Sequence, residues 1–272
     1  KDLIGVKDTQ FNLSLLANAA QLGTCIPPQV LQTGTCVDPN AHLDSPGLDH
    51  QKTLIALINF PDNNAHTVSL EKVKDLIVSN PLSLDRFVKV NSNGRVSIDA
   101  TFIDWMTLTK KSDYYYNQNQ LKNDELHNDA ISALSKVVDL RSFKRLILMV
   151  KDGYQGHPGC YAYQDKVSIG NASEYQGYFV VLGGYGMGCV DAGRIAHEYG
   201  HTFGFGHSLQ NTCETTPPHS LIDLEHLNTC TMKFAYSWTY DTMGSDLNRP
   251  LFSSVWRAKA GWFNSDQIKT VT

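Results

Sequence analysis

The chain has 272 residues, 42% hydrophobic and 10% aromatic, enough for one large domain or two small ones around a real core. Its net charge of -4 at pH 7 excludes the basic footprint of a nucleic-acid binder or a membrane-surface protein, and neither partner is expected. The densest apolar run, LILMV at 146–150, falls well short of the roughly 18 residues that cross a bilayer, so no membrane span is expected.

Residues 1–50 read as an N-terminal extension. A mixed start leads to TCIPPQVLQTGTCVDPN, rich in Pro, Thr and Gly and suited to a small disulfide loop. The first residues, from Lys1-Asp2, do not form a charged-then-apolar leader, and any secretion signal is expected to have been removed or to lie outside this sequence. Asn12-Leu13-Ser14 and Asn171-Ala172-Ser173 are glycosylation sequons, meaningful in a eukaryotic secretory host.

From residue 51 the pattern sharpens into the main domain, 51–272. TLIALINF (53–60), stopped by Pro61-Asp62-Asn63-Asn64, predicts a buried strand and a turn. SLEKVKDLIVS (69–79) has apolar positions at helical spacing behind a serine cap. RFVKVNSNGRVSIDATFIDW (86–105) alternates on both sides of Asn93-Gly94, which predicts a hairpin of two antiparallel strands. LHNDAISALSKVV (126–138) predicts an amphipathic helix, KRLILMV (144–150) a buried strand and YFVVLGG (178–184) another strand. This last strand is either interior or an edge able to pair with an extended substrate backbone. The Gly-rich GGYGMG (183–188) lacks the Lys-Ser/Thr of a phosphate loop and reads as a flexible connection. Strands interleaved with helices predict a mixed sheet carried on helices, an α+β fold.

Six cysteines without a Cys-x-x-Cys pair predict three disulfides and an oxidising, extracellular location. Fifteen pairings are possible. The smallest loops join Cys25 to Cys36, Cys160 to Cys189 and Cys213 to Cys230.

The segment HEYGHTFGFGH (197–207) concentrates the chemistry. Asp191 can cap a helix running into it, and Gly204 can end that helix in a left-handed conformation. His197 and His201 then share one face, one turn apart, at about the separation that two ligands of a tetrahedral zinc ion (Zn2+) need. Gly204 and Gly206 let the chain double back and bring His207 in as a third ligand. Three protein ligands leave a fourth position for water, the mark of a catalytic zinc. Glu198, about 100° around the helix from His197, flanks the metal as general acid/base for that water. Incidental histidines on a helix would not explain the glycines.

With His-Glu-x-x-His-x-x-Gly-x-x-His in place, the chain resembles the metzincin zinc endopeptidases. Tyr240-Asp241-Thr242-Met243-Gly244-Ser245 looks like their methionine turn, and the resemblance implies that Met243 floors the metal site, against plain core packing as the alternative. Asp-x-Met-Gly-Ser with Ala-Gly-Trp-Phe (260–263) looks most like the gametolysin family and its bacterial relatives, over roughly residues 53–265. The resemblance implies a zincin-like fold: an upper subdomain (51–207) with a mixed twisted sheet and two long helices, a smaller irregular or helical lower subdomain (208–272), and a substrate cleft between them. Some metzincins place a tyrosine two residues after the turn methionine, where this chain has Ser245. Tyr236 or Tyr240 are alternatives for that role, with packing the simpler reading.

His157, His219 and His226 read as solvated or hydrogen-bonded, and no second metal is expected. Cys25 or Cys36 as a thiolate blocking the zinc is weighed against disulfide pairing, which the even count favours. The long connector 208–230 is expected to be stapled and to shape the cleft. These readings converge on a secreted, monomeric zinc endopeptidase acting on protein or peptide substrates. The rival readings are a zinc-stabilised binding or adhesion module, and a hydrolase of a non-peptide amide.

Overall fold

A computed structural model describes residues 30–32, 35–37, 48–66, 68–151, 159–169, 173–183, 189–213, 230–235, 241–244, 251–263 and 267–268. Strands β1 (Val30–Gln32) and β2 (Thr35–Val37) pair antiparallel within the extension. The apolar run at 53–60 lies largely in β3 (Asp49–Asn59), whose residues from Thr53 onward are all buried. Its continuous apolar character follows from its position inside a sheet covered on both faces. Leu54, Ala56 and Ile58 point into one core, while Ile55 and Leu57 point into the other.

The 69–79 helix forms as expected, as α1 (Leu70–Lys74) running on into a π-helical turn over Asp75–Ser79, with Ser69 accepting from the Lys72 amide at 3.1 Å. The hairpin expected around Asn93-Gly94 does not form. The first half of that stretch is α2 (Leu84–Asn91), capped by Ser83, and the second half is β4 (Val96–Thr107), which lies parallel to β3. Asn93 and Gly94 do take left-handed φ values, 54° and 77°. They use them to end a helix rather than to turn a hairpin.

A short helix α3 (Ser112–Tyr115) and the two-residue strands β5 (Tyr116–Asn117) and β6 (Gln120–Leu121) lead into α4 (Asn123–Leu134), the expected amphipathic helix. β7 (Arg145–Val150) is buried throughout, as its sequence predicted. β8 (Cys160–Ile169) and β9 (Ser173–Leu182) follow as an antiparallel pair. The sheet order is β4-β3-β7-β9-β8, with β8 alone antiparallel. YFVVL (178–182) therefore lies on an interior strand, and among the described residues the sheet edges are β4 and β8, the latter a strand the sequence pattern did not reveal. Its CYAYQDKVSI mixes small, aromatic and charged residues without clean alternation.

The metal-motif helix is α5 (Ala192–His201). It packs with α1 and α2 on one face of the sheet, while α4 covers the other. Beyond it, β10 (Leu209–Cys213) pairs with β11 (Cys230–Ala235), and α6 (Ser254–Lys259) ends the described helices. The register sets Cys213 opposite Cys230. The Cys160–Cys189 disulfide is formed, whereas Cys25 lies outside the described residues. The architecture is α+β with a mixed five-stranded sheet. Among the described residues no helix is long and apolar enough to cross a membrane.

Candidate metal centre

Asp191 starts the helix that carries the site. Its Oδ1 accepts from the Gly193 and Arg194 amides at 2.9 and 3.0 Å, satisfying two of the orphan donors of the first turn. The helix ends at His201, and the turn after it closes at Gly204, φ 76°, whose amide donates to the His201 carbonyl at 2.9 Å. A side chain would be strained in that conformation. The chain can then fold back, so that Phe205 lies over the helix end and His207 returns to the same face.

His197, His201 and His207 come together: one ligand atom from each lies within 4.8 Å of the other two. Ring centroids are 5.0 Å apart for His197 and His201, 5.4 Å for His197 and His207, and 4.7 Å for His201 and His207. Two nitrogens on a tetrahedral zinc are roughly 3.3 Å apart, so the rings converge to within small side-chain rotations of a ligand set. His197 Nδ1 donates to the Thr242 carbonyl and His201 Nδ1 to the Phe205 carbonyl, each at 2.7 Å. A carbonyl only accepts, which puts the proton on Nδ1 and leaves the Nε2 lone pair of both rings to face inward.

Burial lowers the pKa of all three imidazoles. His201 is pushed down to about 4, the added charge of its two neighbours working in the same direction, and His197 and His207 also lie below the ordinary histidine value. Neutral imidazole is the form that binds a metal. Glu198 lies beside this set without joining it. It is buried, and desolvation pushes its carboxyl up to about 7 against a smaller opposing effect from Arg194, one turn back. No hydrogen-bond donor among the described residues engages that carboxylate.

Met243 is fully buried, and its Sδ lies close to Gly200, between the two helical histidines, so the methionine turn does underlie α5. The turn is organised by Asp241, which accepts from the Met243 amide at 2.9 Å and from the Ser208 hydroxyl. Ser208 in turn donates its amide to the Met243 carbonyl at 2.9 Å. Sequence reasoning assigned Asp241 no role. An aspartate two residues before a buried residue is a sign of a side-chain-to-backbone turn, and that signal was available.

Arg145 was also missed. It is fully buried at the start of β7, where Nε donates to Thr202 Oγ1 at 2.9 Å and an Nη donates to Gln51 Oε1. Its guanidinium lies 4.5 Å from the Phe203 ring centre. It thereby fixes the C-terminal end of α5 to the sheet, where a cation suits the helix dipole. Tyr236, Tyr240, His157, His219 and His226 lie outside the described residues. The chain matches no family model, and no curated protein matches it.

Proposed function

We propose that the chain is a secreted zinc endopeptidase of the metzincin kind, with His197, His201 and His207 as metal ligands and Glu198 as general acid/base. The observation that carries this reading is the convergence of three neutral imidazoles beside one buried carboxyl of raised pKa. A set of nitrogen donors with a position left open suits zinc among divalent ions. Zinc held there supplies Lewis acidity, drawing the pKa of a water toward about 7 and polarising a substrate carbonyl.

The chain's own residues do the rest. With its pKa near neutrality, Glu198 is populated in both protonation states, so it can take a proton from an attacking water and return it to a leaving amine. Its two oxygens are not tied down by described neighbours and remain able to reach both. The carbonyls of Thr242 and Phe205 keep two imidazoles in one tautomer throughout. The Cys160–Cys189 link supports an extracellular location.

A polypeptide substrate is supported by β8, whose outer side carries no strand among the described residues and which packs against α5. An extended peptide pairs with such an edge through main-chain hydrogen bonds. The test is Glu198→Ala. This variant should bind zinc like the parent protein and lose at least about 100-fold in cleavage of a peptide library. Undiminished turnover would end the mechanism, and a parent protein that takes up zinc yet cleaves nothing would leave a binding module instead.

A further inference from the structure

Asp241 is fully buried, and its two oxygens meet only neutral donors, the Met243 amide and the Ser208 hydroxyl. Among the described residues no cationic side chain pairs with it. A carboxylate removed from water in this way carries a large desolvation cost unless a positive charge lies near. Its bonds lead to two of the imidazoles: Thr242, its neighbour in sequence, accepts from His197, whose ring feels the Asp241 charge, and Ser208, its partner, follows His207.

We infer that Asp241 is a positioning residue of the metal centre, supplying the counter-charge for the bound cation and tethering the returning segment that brings in His207. The inference rests on reading the three histidines as a metal site. Geometry divides the role in two. Oδ1 shapes the turn that presents the Thr242 carbonyl to His197, and Oδ2 holds Ser208, so one carboxylate spans the supports of a helical ligand and of the non-helical one. The charge then balances part of the cation's +2 in a site where three neutral imidazoles balance none.

Two variants separate charge from tether. Asp241→Asn is isosteric: it keeps an acceptor for the Met243 amide, and the Ser208 hydroxyl can rotate to accept from the new amide, so only the charge goes. Ser208→Ala keeps the charge and removes the tether. For each, zinc affinity is measured by competition with a chromophoric chelator, the cobalt-substituted absorption spectrum is recorded, and urea unfolding is followed with and without zinc.

Asp241→Asn should weaken zinc binding about 10–100-fold, the usual effect of losing a group that supports a metal ligand. Its metal-free form should unfold at a urea concentration no lower than the parent's, because an uncompensated buried charge has been removed. A purely structural aspartate would instead lower both midpoints. Ser208→Ala should weaken zinc binding and alter the cobalt spectrum. Parent-like affinity and spectrum in Asp241→Asn would overturn the counter-charge role, and the same result in Ser208→Ala would overturn the tether. A parent protein that binds no zinc would instead remove the metal-site reading itself.

Discussion

At the scale of single residues, the placement of His197, Glu198 and His201 on one helix was legible because it is local: one helical turn fixes it, and the sequence predicts the helix. His207 was legible through the glycines that permit the return. The local bond of Asp241 to the Met243 amide left a signal that went unread, whereas its tie to Ser208 and that of Arg145 to Thr202 span 33 and 57 residues, and only the folded chain brings them together. The depressed imidazole pKa values give a pH prediction for the metal-free protein. Unfolded, these histidines protonate near pH 6.5; folded, burial holds His201 near 4 and lowers the other two. Between those limits the histidines bind more protons when unfolded, so their contribution to stability falls as the pH drops from about 6.5 toward 4 and is regained as it rises. Glu198, raised to about 7, holds its proton in the folded state and offsets part of that loss equally in parent and histidine variant. Urea midpoints of chelator-treated protein at pH 7.5 and 5 should therefore differ more for the parent than for His201→Gln, and equal differences would contradict the assignment.

At the scale of elements, α5 is positioned by contact with its neighbours as much as by its own caps. A Cβ on Gly200 would lie 2.5 Å from Met243 Sδ and 2.7 Å from Phe252 Cε1. Alanine normally gains about 1 kcal/mol over glycine inside a helix. Here the overlap should reverse the sign, with a net loss of about 1–3 kcal/mol as the helix is pushed off the methionine turn. Equilibrium unfolding of Gly200→Ala checks this, and a stabilised variant would show that the turn yields freely. The misplaced hairpin has a related cause. Asn-Gly favours left-handed backbone in hairpins and helix ends alike, and FVKV alternates as a strand does, yet Ser83 caps a helix whose Leu84, Val88 and Asn91 are buried at helical spacing. Tertiary burial decided between two locally acceptable readings.

At the scale of the whole molecule, a mixed sheet with helices was foreseeable from the order of apolar segments, but the strand order was not. β8 escaped notice because an edge strand need not alternate cleanly. The disulfide joining its first residue, Cys160, to Cys189 ahead of α5 closes a loop with a sequence separation of 29. Replacing both cysteines with serine should cost about 2–4 kcal/mol, chiefly by freeing the unfolded chain. Denaturant titration of the double variant measures it, and an unchanged midpoint would mean that the loop is already held by β8 pairing with β9.

The Asn93-Gly94 corner, useless as a hairpin, is where the chain's late residues attach. The Phe252 amide donates to Asn91 Oδ1 and Arg257 Nε to the Asn91 carbonyl, both at 2.8 Å, while Asn93 Nδ2 donates to the Trp262 carbonyl at 3.0 Å and Arg95 binds the carbonyls of Gly261 and Phe263. These bonds span 161 to 169 residues. During synthesis, then, the early half must wait with this corner bare until residues 252–263 have been made, so a ribosome stalled short of residue 251 holds a chain whose histidines are already made but whose support has not yet arrived.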